Sequence, residues 1–469
     1  MRADEEMCSV EVGTEEVLLP TRMVDDLQRV GLVTAERKNS RAVMKSATAD
    51  LLLFLPLLSS FDFRLVPQVR DGSPIHFCTG LLKLSSQASD FSRGDQINIP
   101  AGGQSETASY AALGCLGELA ERISLWTLAD TDPRVFLREE ALPEVEMQRV
   151  LGLSRKQGDA AMRQLELSGA LRTDNGPNWE SVSNKRIKVR SLENGNEAQF
   201  PSIGVLFQEL ERETGHSLSF ASSVGCAVWH DRQGARERAL LELVERDAVA
   251  QAWYNRLGIK TLPWVTSDNF LSAELDEFLT SQKREWALFS VASDFDVHVV
   301  MAVSFEQGGR MAAFGSAAAW DIESACQSAI QEMLQSENAL YLMNRAYAEG
   351  SDRSTSPSKL PRHLAYARNR SILEDLPLKS APTAEEGSFG DRFDYEKLLR
   401  SCLKQNIEIW EFDVTRPDLE IPCIKLLSPD LCSWEPRFGK RRLYDGVVER
   451  GHRECRATEA EFSARPFPF

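Results

Sequence analysis

The chain has 469 residues, of which 42% are hydrophobic and 26% are charged, and its formal net charge at pH 7 is −16. This composition is typical of a globular protein and excludes collagen-like and broadly disordered proteins. The length allows two or three structural units, or one large α/β body with an accessory region. The negative charge argues against nonspecific binding of nucleic acid, because such binding requires basic groups that displace counterions from phosphates.

Cysteine usage and the start of the chain indicate a cytoplasmic protein. The nine cysteines are scattered, odd in number and without a CxxC motif, so they indicate neither a disulfide framework nor a zinc site. The first residues lack the basic and apolar segments of a signal peptide. The most apolar run, LLLFLPLL at 51–58, is too short to span a bilayer. We therefore expect a cytoplasmic location and no membrane partner.

The predicted elements alternate between helices and strands. Residues 1–39 are expected to form an N-terminal lead-in with one short helix, and residues 40–469 the main body. Strands that alternate with long helices indicate an α/β or α+β fold. The long helices are expected at 107–126, 234–256 and 322–346, and the strands at 186–189, 204–207, 286–291, 298–303, 408–414 and 421–427.

Two segments stand apart from this pattern. Residues 140–176 are predicted to form a helical insertion, in which helices at 144–151 and 155–167 and a following turn-rich stretch resemble a small winged helix. A plain helical insertion and a peptide- or DNA-binding module are both left open, although the acidic chain disfavours DNA. Residues 349–392 are rich in Ser, Pro, Arg and Glu, which predicts a surface loop or linker.

One helical pattern occurs twice, as LGELAER at 116–122 and LELVER at 241–246, with a weaker third copy, AIQEMLQ, at 329–335. The i, i+3 spacing of the glutamates places both on one helix face. Two copies with the same order of Glu, Glu and Arg predict one site built from related helices. Ordinary i, i+4 ion pairs, worth roughly 0.2–0.5 kcal/mol each, are the alternative explanation. Each copy follows a glycine by 15 to 17 residues: Gly103 precedes Glu118, Gly225 precedes Glu242 and Gly315 precedes Glu332.

These residue types suit the binding of a nucleotide. Pairs of carboxylates on facing helices hold Mg²⁺ together with phosphate oxygens and water. Arginine binds phosphate in a forked geometry, and glycine-rich turns before a helix let backbone N–H groups approach an anion. Because the sequence contains no GxxxxGK[ST] motif, we predict a nucleoside triphosphate site without a P-loop. The sequence also lacks a GxSxG motif, so a Ser-His-Asp hydrolase has no support.

Several of these segments resemble the signatures of the YcaO family. SSVGCA at 222–227, followed by LELVERDA at 241–248, is similar to the central signature, which is the most specific one. The residues at 103–122 resemble the first signature and those at 315–335 the third. The C-terminal part is similar to that of azole-forming members, in DVTRP at 413–417 and PRFGKRRLYD at 436–445.

The resemblance implies a YcaO-like α/β (α+β) body with ATP and Mg²⁺ as cofactors. It also implies ATP-dependent cyclodehydration of Ser, Thr or Cys in a ribosomally synthesised precursor peptide, through phosphorylation of the backbone amide oxygen. The products would be oxazolines or thiazolines, as in the biosynthesis of thiazole/oxazole-modified microcins and other bacteriocins. Thioamide or amidine formation by a YcaO enzyme, and a catalytically silent peptide-binding scaffold, are the alternatives.

Site residues follow from the same resemblance, position by position. The implied metal ligands are Glu118, Glu121, Glu242 and Glu245. The implied nucleotide-binding residues are Gly103, Gln104, Arg122, Ser223, His230 and Arg246. The implied catalytic tail, similar to the proline-rich C-terminus of azoline-forming members, contains Pro466, Pro468 and Phe469. The chain departs from the family pattern at Gln104, Gly114, His230 and Gly234. The substitutions at Gln104, His230 and Gly234 favour the scaffold alternative.

The resemblance also implies partners. A precursor peptide is the expected substrate, and a ThiF-like or docking subunit is expected to bind its leader, because the sequence shows no long N-terminal domain for this task. A flavin-dependent azoline dehydrogenase is a further expected partner. A nucleic acid is not expected, and a homodimer is left open.

Overall fold

A computed structural model of the chain describes residues 6–38, 41–84, 97–167, 179–210, 219–262, 271–348, 361–384 and 390–468. The contacts divide the chain into two compact units. The first unit contains Met1–Ala129, Ala227–Ala235 and Val414–Ile424, and the second contains Asp130–Cys226, Arg236–Asp413 and Lys425–Phe469. Neither unit begins at the boundary near residue 40 that the sequence predicts.

Strands and helices are both numerous, as predicted. The strands are β1 (Met7–Val12), β2 (Glu15–Pro20), β3 (Val33–Lys38), β4 (Arg41–Ser46), β5 (Asp62–Gln68), β6 (His76–Leu84), β7 (Ile97–Ser105), β8 (Val135–Leu137), β9 (Lys185–Ser191), β10 (Glu197–Pro201), β11 (Cys226–Val228), β12 (Ile259–Thr261), β13 (Glu285–Val291), β14 (His298–Glu306), β15 (Arg310–Ala319), β16 (Trp410–Asp413) and β17 (Cys423–Leu427). The helices are α1 (Thr21–Arg29), α2 (Leu55–Ser60), α3 (Ala108–Ser124), α4 (Met147–Leu151), α5 (Arg155–Leu167), α6 (Trp179–Val182), α7 (Arg232–Asn255), α8 (Ala273–Ser281), α9 (Ile322–Ala348), α10 (Arg362–Asn369), α11 (Ile372–Asp375), α12 (Tyr395–Lys404), α13 (Asp445–Glu449) and α14 (Glu459–Ser463). The three predicted long helices correspond to α3, α7 and α9.

The N-terminal segment of the first unit forms a sheet of order β2-β1-β4-β3, with α1 in its core. The expectation that residues 1–39 form a lead-in with one short helix is therefore wrong for the described residues. Apolar residues alternate along β1, where Val10 and Val12 are buried, and α1 buries Met23, Val24 and Leu27 in the same core. These strands are short and carry many charges, which hides the period-2 pattern in the sequence.

A second sheet of the first unit positions α3. Strands β5, β6 and β7 form an antiparallel meander, and α3 packs against it. Helix α3 begins after Thr107, whose hydroxyl accepts the Tyr110 N–H at 3.3 Å as an N-cap. Its apolar face contributes Ala112, Leu116 and Leu119 to the core. The face that carries Glu118 and Arg122 is only half-buried.

The second unit repeats this arrangement. Strands β12 to β15 form an antiparallel sheet, and the long helix α9 packs against β14 and β15. All residues of β14 except its last are buried, which accounts for its continuous apolar run. A further sheet has the order β10-β9-β16-β17-β11, with β8 beside β9.

Some predicted elements of the second unit differ from the structure. Residues 204–207 are not a strand, since Ser202–Gly204 is a 3₁₀ turn and the partner of β9 is β10. Burial of Val205 and Leu206 in a loop produces the apolar run that mimics a strand. Residues 361–384 contain α10 and α11 instead of an irregular loop. The predicted helices of the 140–176 insertion are α4 and α5, whereas its predicted wing at 168–176 lies outside the described residues.

Lys440 ties α4 to the C-terminal part of the second unit. Its ammonium donates to the carbonyl oxygens of Arg149 (2.6 Å), Val150 (3.0 Å) and Ser428 (2.7 Å), and the side chain is buried. The first two are carbonyls at the end of α4, which have no partner within the helix. Burial, together with the nearby charges of Arg149 and Arg437, lowers the pKa of Lys440 from 10.5 to about 7.

This lowered pKa makes stability depend on pH. Between about pH 7 and pH 10.5 the unfolded chain binds a proton on Lys440 that the folded chain does not, so the free energy of unfolding should rise with pH in this window. Denaturant titrations should show the free energy of unfolding of wild type rising relative to that of Lys440→Met as the pH rises from 7 to 10. The matched variant Lys404→Met, at an exposed lysine, should run parallel to wild type. If the free energy of unfolding of Lys440→Met changed with pH as that of wild type does, the lowered pKa of Lys440 would be contradicted.

Candidate functional site

The three repeated helices share one local contact. In each repeat, the glutamate of the helix accepts a hydrogen bond from a backbone N–H of the preceding glycine-containing segment. The same geometry in three places confirms the internal repeat seen in the sequence. The bonds are Gly102 N to Glu118 (2.5 Å), Gly225 N to Glu242 (3.1 Å) and Ser316 N to Glu332 (3.3 Å).

The repeated glycines allow backbone to approach helix closely. A Cβ on Gly103 would collide with the Ala111 carbonyl oxygen, and one on Gly315 would collide with the Ala329 carbonyl oxygen. Gly225 has φ +76°, a left-handed conformation that disfavours a side chain. These glycines set the distance at which the backbone N–H groups meet the helix glutamates.

The first cluster of predicted site residues lies in the first unit. Arg122 forms an ion pair with Glu118 and donates to the Pro100 carbonyl oxygen. Glu121 is half-buried one turn further along α3, and Gln104 lies in β7 opposite Phe77. The structure therefore pairs Glu118 with Arg122 at the i, i+4 spacing, a contact that ordinary helix ion pairs also produce.

The second cluster lies in the second unit and includes the third repeat. Arg246 of α7 binds Glu242 at 3.1 Å and also forms an ion pair with Glu245. The Ser316 hydroxyl donates to Glu245 at 2.6 Å, and the Ser316 N–H donates to Glu332. We call these five residues the Arg246 cluster. Glu332 belongs to the weaker third copy of the repeat and is not among the metal ligands that the sequence predicts.

Charge in the Arg246 cluster is unbalanced, because three carboxylates surround one guanidinium. Burial raises the pKa of Glu245, although Arg246 and Ser316 oppose the shift. Burial and the charge of Glu245 raise the pKa of Glu332 to about 8. Burial lowers the pKa of Arg246, but the three carboxylates outweigh it and raise that pKa above the ordinary value. Glu245 and Glu332 therefore resist ionisation, and a bound cation would favour their charged forms.

The donor set of the Arg246 cluster fits Mg²⁺ and phosphate. Carboxylate oxygens are the ligands that Mg²⁺ prefers, and Arg246 Nε is buried without a hydrogen-bond partner in the described part of the chain. That N–H is available to a phosphate oxygen. Across the described residues, no three acidic, His or Cys side chains already surround a point where a metal could lie. Glu242 and Glu245 direct oxygens to Arg246 instead, so metal binding requires these carboxylates to turn.

The C-terminal tail, which is part of the second unit, packs within it through an aromatic contact. Phe467 is fully buried and stacks on Trp434, with ring centroids 4.7 Å apart and an interplanar angle of 11°. Pro466 and Pro468, predicted as catalytic, line a cavity of about 260 Å³ together with arginines. Phe469 lies outside the described residues. The predicted tail residue Pro468 is buried, and so is Phe467, which the sequence pattern does not single out.

The remaining predicted residues lie in or beside the loop before α7. The ammonium of Lys425 donates to the carbonyl oxygens on either side of Ser223, those of Ser222 (2.7 Å) and Val224, and so fixes this loop. His230 is exposed, and its ring meets Trp229 edge-on with centroids 5.0 Å apart. The Trp229 ring also packs where a Cβ of Gly234 would lie. This contact gives a physical reason for glycine at position 234, one of the departures from the family pattern.

Comparisons with known proteins agree with this architecture. The chain matches the model of the family described as YcaO cyclodehydratase, ATP- and Mg²⁺-binding, over residues 102–432. Because this match covers more than half of the sequence, the chain belongs to the YcaO family. The predicted YcaO-like body with three related helices is confirmed, and the predicted ATP and Mg²⁺ are the cofactors in the family's description. Comparison with curated protein sequences finds no match.

Solved structures show the same fold at low sequence identity. A heterocyclase in complex with substrate and cofactor is 18% identical, with a TM-score of 0.70 over 98% of this chain and 64% of that chain. The heterocyclase TruD is 21% identical, with a TM-score of 0.58 over 78% of this chain and 51% of that one. YcaO from Methanopyrus kandleri bound with AMPPCP and Mg²⁺ is 18% identical, with a TM-score of 0.52 over 78% and 86%. The chain thus spans about half to two thirds of the two heterocyclases.

Proposed function

We propose that the chain is an ATP-dependent peptide cyclodehydratase that forms oxazoline or thiazoline rings in a ribosomally made precursor peptide. The observation that carries the proposal is the Arg246 cluster. It combines three glutamates from two repeated helices with one arginine that has an unused buried donor. The match to the YcaO family supports this use of the cluster.

The reaction makes a poor leaving group into a good one. The side-chain oxygen or sulfur of Ser, Thr or Cys loses its proton and attacks the carbonyl carbon of the preceding residue. The carbonyl oxygen then takes the γ-phosphoryl group of ATP, which leaves ADP. Expulsion of phosphate and loss of the amide proton close the C=N bond of the ring. The peptide loses one water per ring, and one ATP becomes ADP and phosphate.

The proposed roles follow from charge and position. Glu242, Glu245 and Glu332 would hold Mg²⁺, which when bound neutralises charge on the phosphates. Arg246 would donate its free Nε–H to a phosphate oxygen. In the first unit, Glu118, Glu121 and Arg122 are proposed to act on metal and nucleotide in the same way, as the repeat suggests. Gly103, Gln104, Ser223 and His230 stay proposed nucleotide-binding residues, and the tail with Pro466, Pro468 and Phe469 a proposed part of the catalytic machinery.

Partners and location are part of the proposal. We propose a precursor peptide as substrate, a leader-binding ThiF-like or docking subunit, and a flavin-dependent azoline dehydrogenase that acts afterwards. All nine cysteines lie in the described part of the chain and none forms a disulfide, which supports a cytoplasmic location. A search of the described residues finds no helix that combines the length and apolarity needed to cross a membrane.

Mass balance tests the proposed function. The chain should be assembled with candidate partners and with a short Cys/Ser/Thr-rich peptide encoded next to it. We expect ATP consumption in step with the loss of one water from the peptide per ring. Phosphate release measures the ATP consumed, and mass spectrometry measures the water lost. Replacing the ring-forming residues by Ala should stop both together. Water loss without ATP, or no turnover with every candidate partner, would contradict the proposal.

A catalytically silent peptide-binding scaffold is the second candidate. The departures at Gln104 and His230 favour it, because the described interactions give neither side chain a contact with the Glu118–Arg122 pair of the same unit. Gly234 carries less weight, since the packing of Trp229 explains it. Binding of the precursor without ATP turnover would select this candidate. Thioamide or amidine formation would instead appear as a different mass change.

A further inference from the structure

Trp434 touches both the C-terminal tail and the Arg246 cluster. The guanidinium carbon of Arg246 lies 3.5 Å from the centroid of the Trp434 ring, which is a close cation–π contact. The same ring stacks with Phe467 of the tail. Trp434 therefore forms a direct bridge of two contacts between the tail and the arginine that is proposed to bind phosphate.

The segment that carries Trp434 is fixed at two points on α7. The Cys432 N–H donates to the buried Asp247 carboxylate at 2.8 Å. The Tyr254 hydroxyl donates to the Trp434 carbonyl oxygen at 2.7 Å and accepts the Phe467 N–H at 3.2 Å. Helix α7 thus fixes the backbone that carries each of the two stacked rings.

Helix α7 and strand β15 both contribute to the pocket that holds Phe467 and to the Arg246 cluster. We call this pocket the seat of the tail. Helix α7 supplies Arg246 to the cluster and Trp253 to the seat, whose indole meets the Phe467 ring edge-on at 5.2 Å. Strand β15 supplies Ser316 to the cluster and Phe314 to the seat, two residues apart, with the Phe314 ring 5.3 Å from that of Phe467. Removal of Phe467 would therefore leave a hole beside the residues that orient the cluster.

The Trp434 contact matters most when a cation is bound. Glu242 and Glu245 now hold the two terminal nitrogens of Arg246, and both carboxylates are proposed to turn toward Mg²⁺. Arg246 then loses its ion-pair partners, whereas the indole face continues to hold the plane of the guanidinium. A fixed plane keeps Nε aimed in one direction, which a mobile arginine would not do.

We propose that Trp434 is a positioning residue: it holds Arg246 for the nucleotide phosphates, and the Phe467 side chain of the tail holds Trp434. This inference rests on the proposed nucleotide site and names the link between that site and the tail. It predicts that changes at Trp434 and Phe467 act mainly on the affinity for Mg²⁺-bound nucleotide. It also predicts that the two changes are not additive, since they act through one stack.

Equilibrium binding of Mg²⁺·AMPPCP to the full chain tests this inference. Trp434→Leu should weaken binding at least about tenfold, and Trp434→Phe should retain most of the affinity, because a phenyl ring keeps an aromatic face. Phe467→Ala should weaken binding in the same direction, and Trp434→Leu/Phe467→Ala should bind no worse than Trp434→Leu. The matched control Trp410→Ala, at a half-buried indole of β16, should bind as wild type does. In the assembled enzyme, the KM for ATP should rise more than kcat falls.

The outcomes distinguish failure of the proposed function from failure of the positioning role of Trp434. If wild type does not bind the nucleotide, the proposed function fails. If wild type binds and folded Trp434→Leu binds equally well, the positioning role of Trp434 fails. Should Trp434→Leu not fold, fluorescence decides: the difference spectrum between wild type and Trp434→Phe should change on addition of Mg²⁺·AMPPCP, and an unchanged spectrum would overturn the inference.

Discussion

Glu245→Gln is expected to abolish ATP turnover while leaving the fold intact. The change removes a carboxylate that is proposed to hold Mg²⁺ and that forms an ion pair with Arg246. Preorganised charges at a transferring group are worth about a hundredfold or more in kcat, so turnover should fall by at least that factor. Because burial raises the pKa of Glu245, a neutral side chain of the same shape is tolerated at this position.

Two measurements accompany this variant. Thermal unfolding of Glu245→Gln should occur at or above the wild-type temperature, which excludes misfolding as the cause. Glu277→Gln, at an exposed glutamate of α8, should leave turnover unchanged and controls for the loss of one negative charge. Full activity of Glu245→Gln would show that the Arg246 cluster is not the metal site.

Gly103→Ala and Gly114→Ala should change stability in opposite directions. A Cβ on Gly103 would collide with the backbone of α3 at Ala111, and such overpacking should cost about 3 kcal/mol in the free energy of unfolding. A Cβ on Gly114, an exposed helix position, would lie 3.8 Å from the nearest atom, the Cα of Gly103. Alanine at that position should add about 0.5–1 kcal/mol, since it has the higher helix propensity.

Denaturant titration of the two variants measures both effects. The pair is well matched, because the same atom is added on two facing elements of the first unit. Equal stability of Gly103→Ala and wild type would contradict the close approach of β7 to α3. A destabilised Gly114→Ala would contradict the account of an open helix position.

The repeats made much of the fold predictable. A glycine followed at 15 to 17 residues by Glu in a helix occurs three times, and each time the structure joins the two segments by a hydrogen bond. The limits of α3, α7 and α9 fall within two residues of the predicted ones, because long helices carry strong periodicity and clear ends. The N-terminal sheet was not predictable in this way, since its strands are short and charged.

Residues that act through long-range contacts could not be found in the sequence. Trp434 and Phe467 are separated from Arg246 by 188 and 221 positions, and neither belongs to a repeated pattern. Their position depends on how the C-terminal segment packs on α7, which local propensity does not encode. Glu332 carried a signal, as the third copy of the repeat, but the absence of the second Glu and the Arg made that copy look weaker.

The fold explains some of the departures from the family pattern and leaves others unexplained. Gly234 is explained by the Trp229 ring, and Gly114 lies at an exposed helix position, so neither argues against nucleotide binding. Gln104 and His230 have no comparable explanation in the structure. The case for activity therefore rests on the carboxylates and arginines of the repeated helices.

Calorimetric titration of the chain with AMPPCP, with and without Mg²⁺, tests the central claim most directly, because it needs neither the precursor nor a partner subunit. If the Arg246 cluster binds the nucleotide, binding should be saturable, with one nucleotide per chain, dependent on Mg²⁺ and lost in Arg246→Met. Binding that is indifferent to Mg²⁺ and to Arg246→Met, or no binding at all by the folded chain, would contradict it.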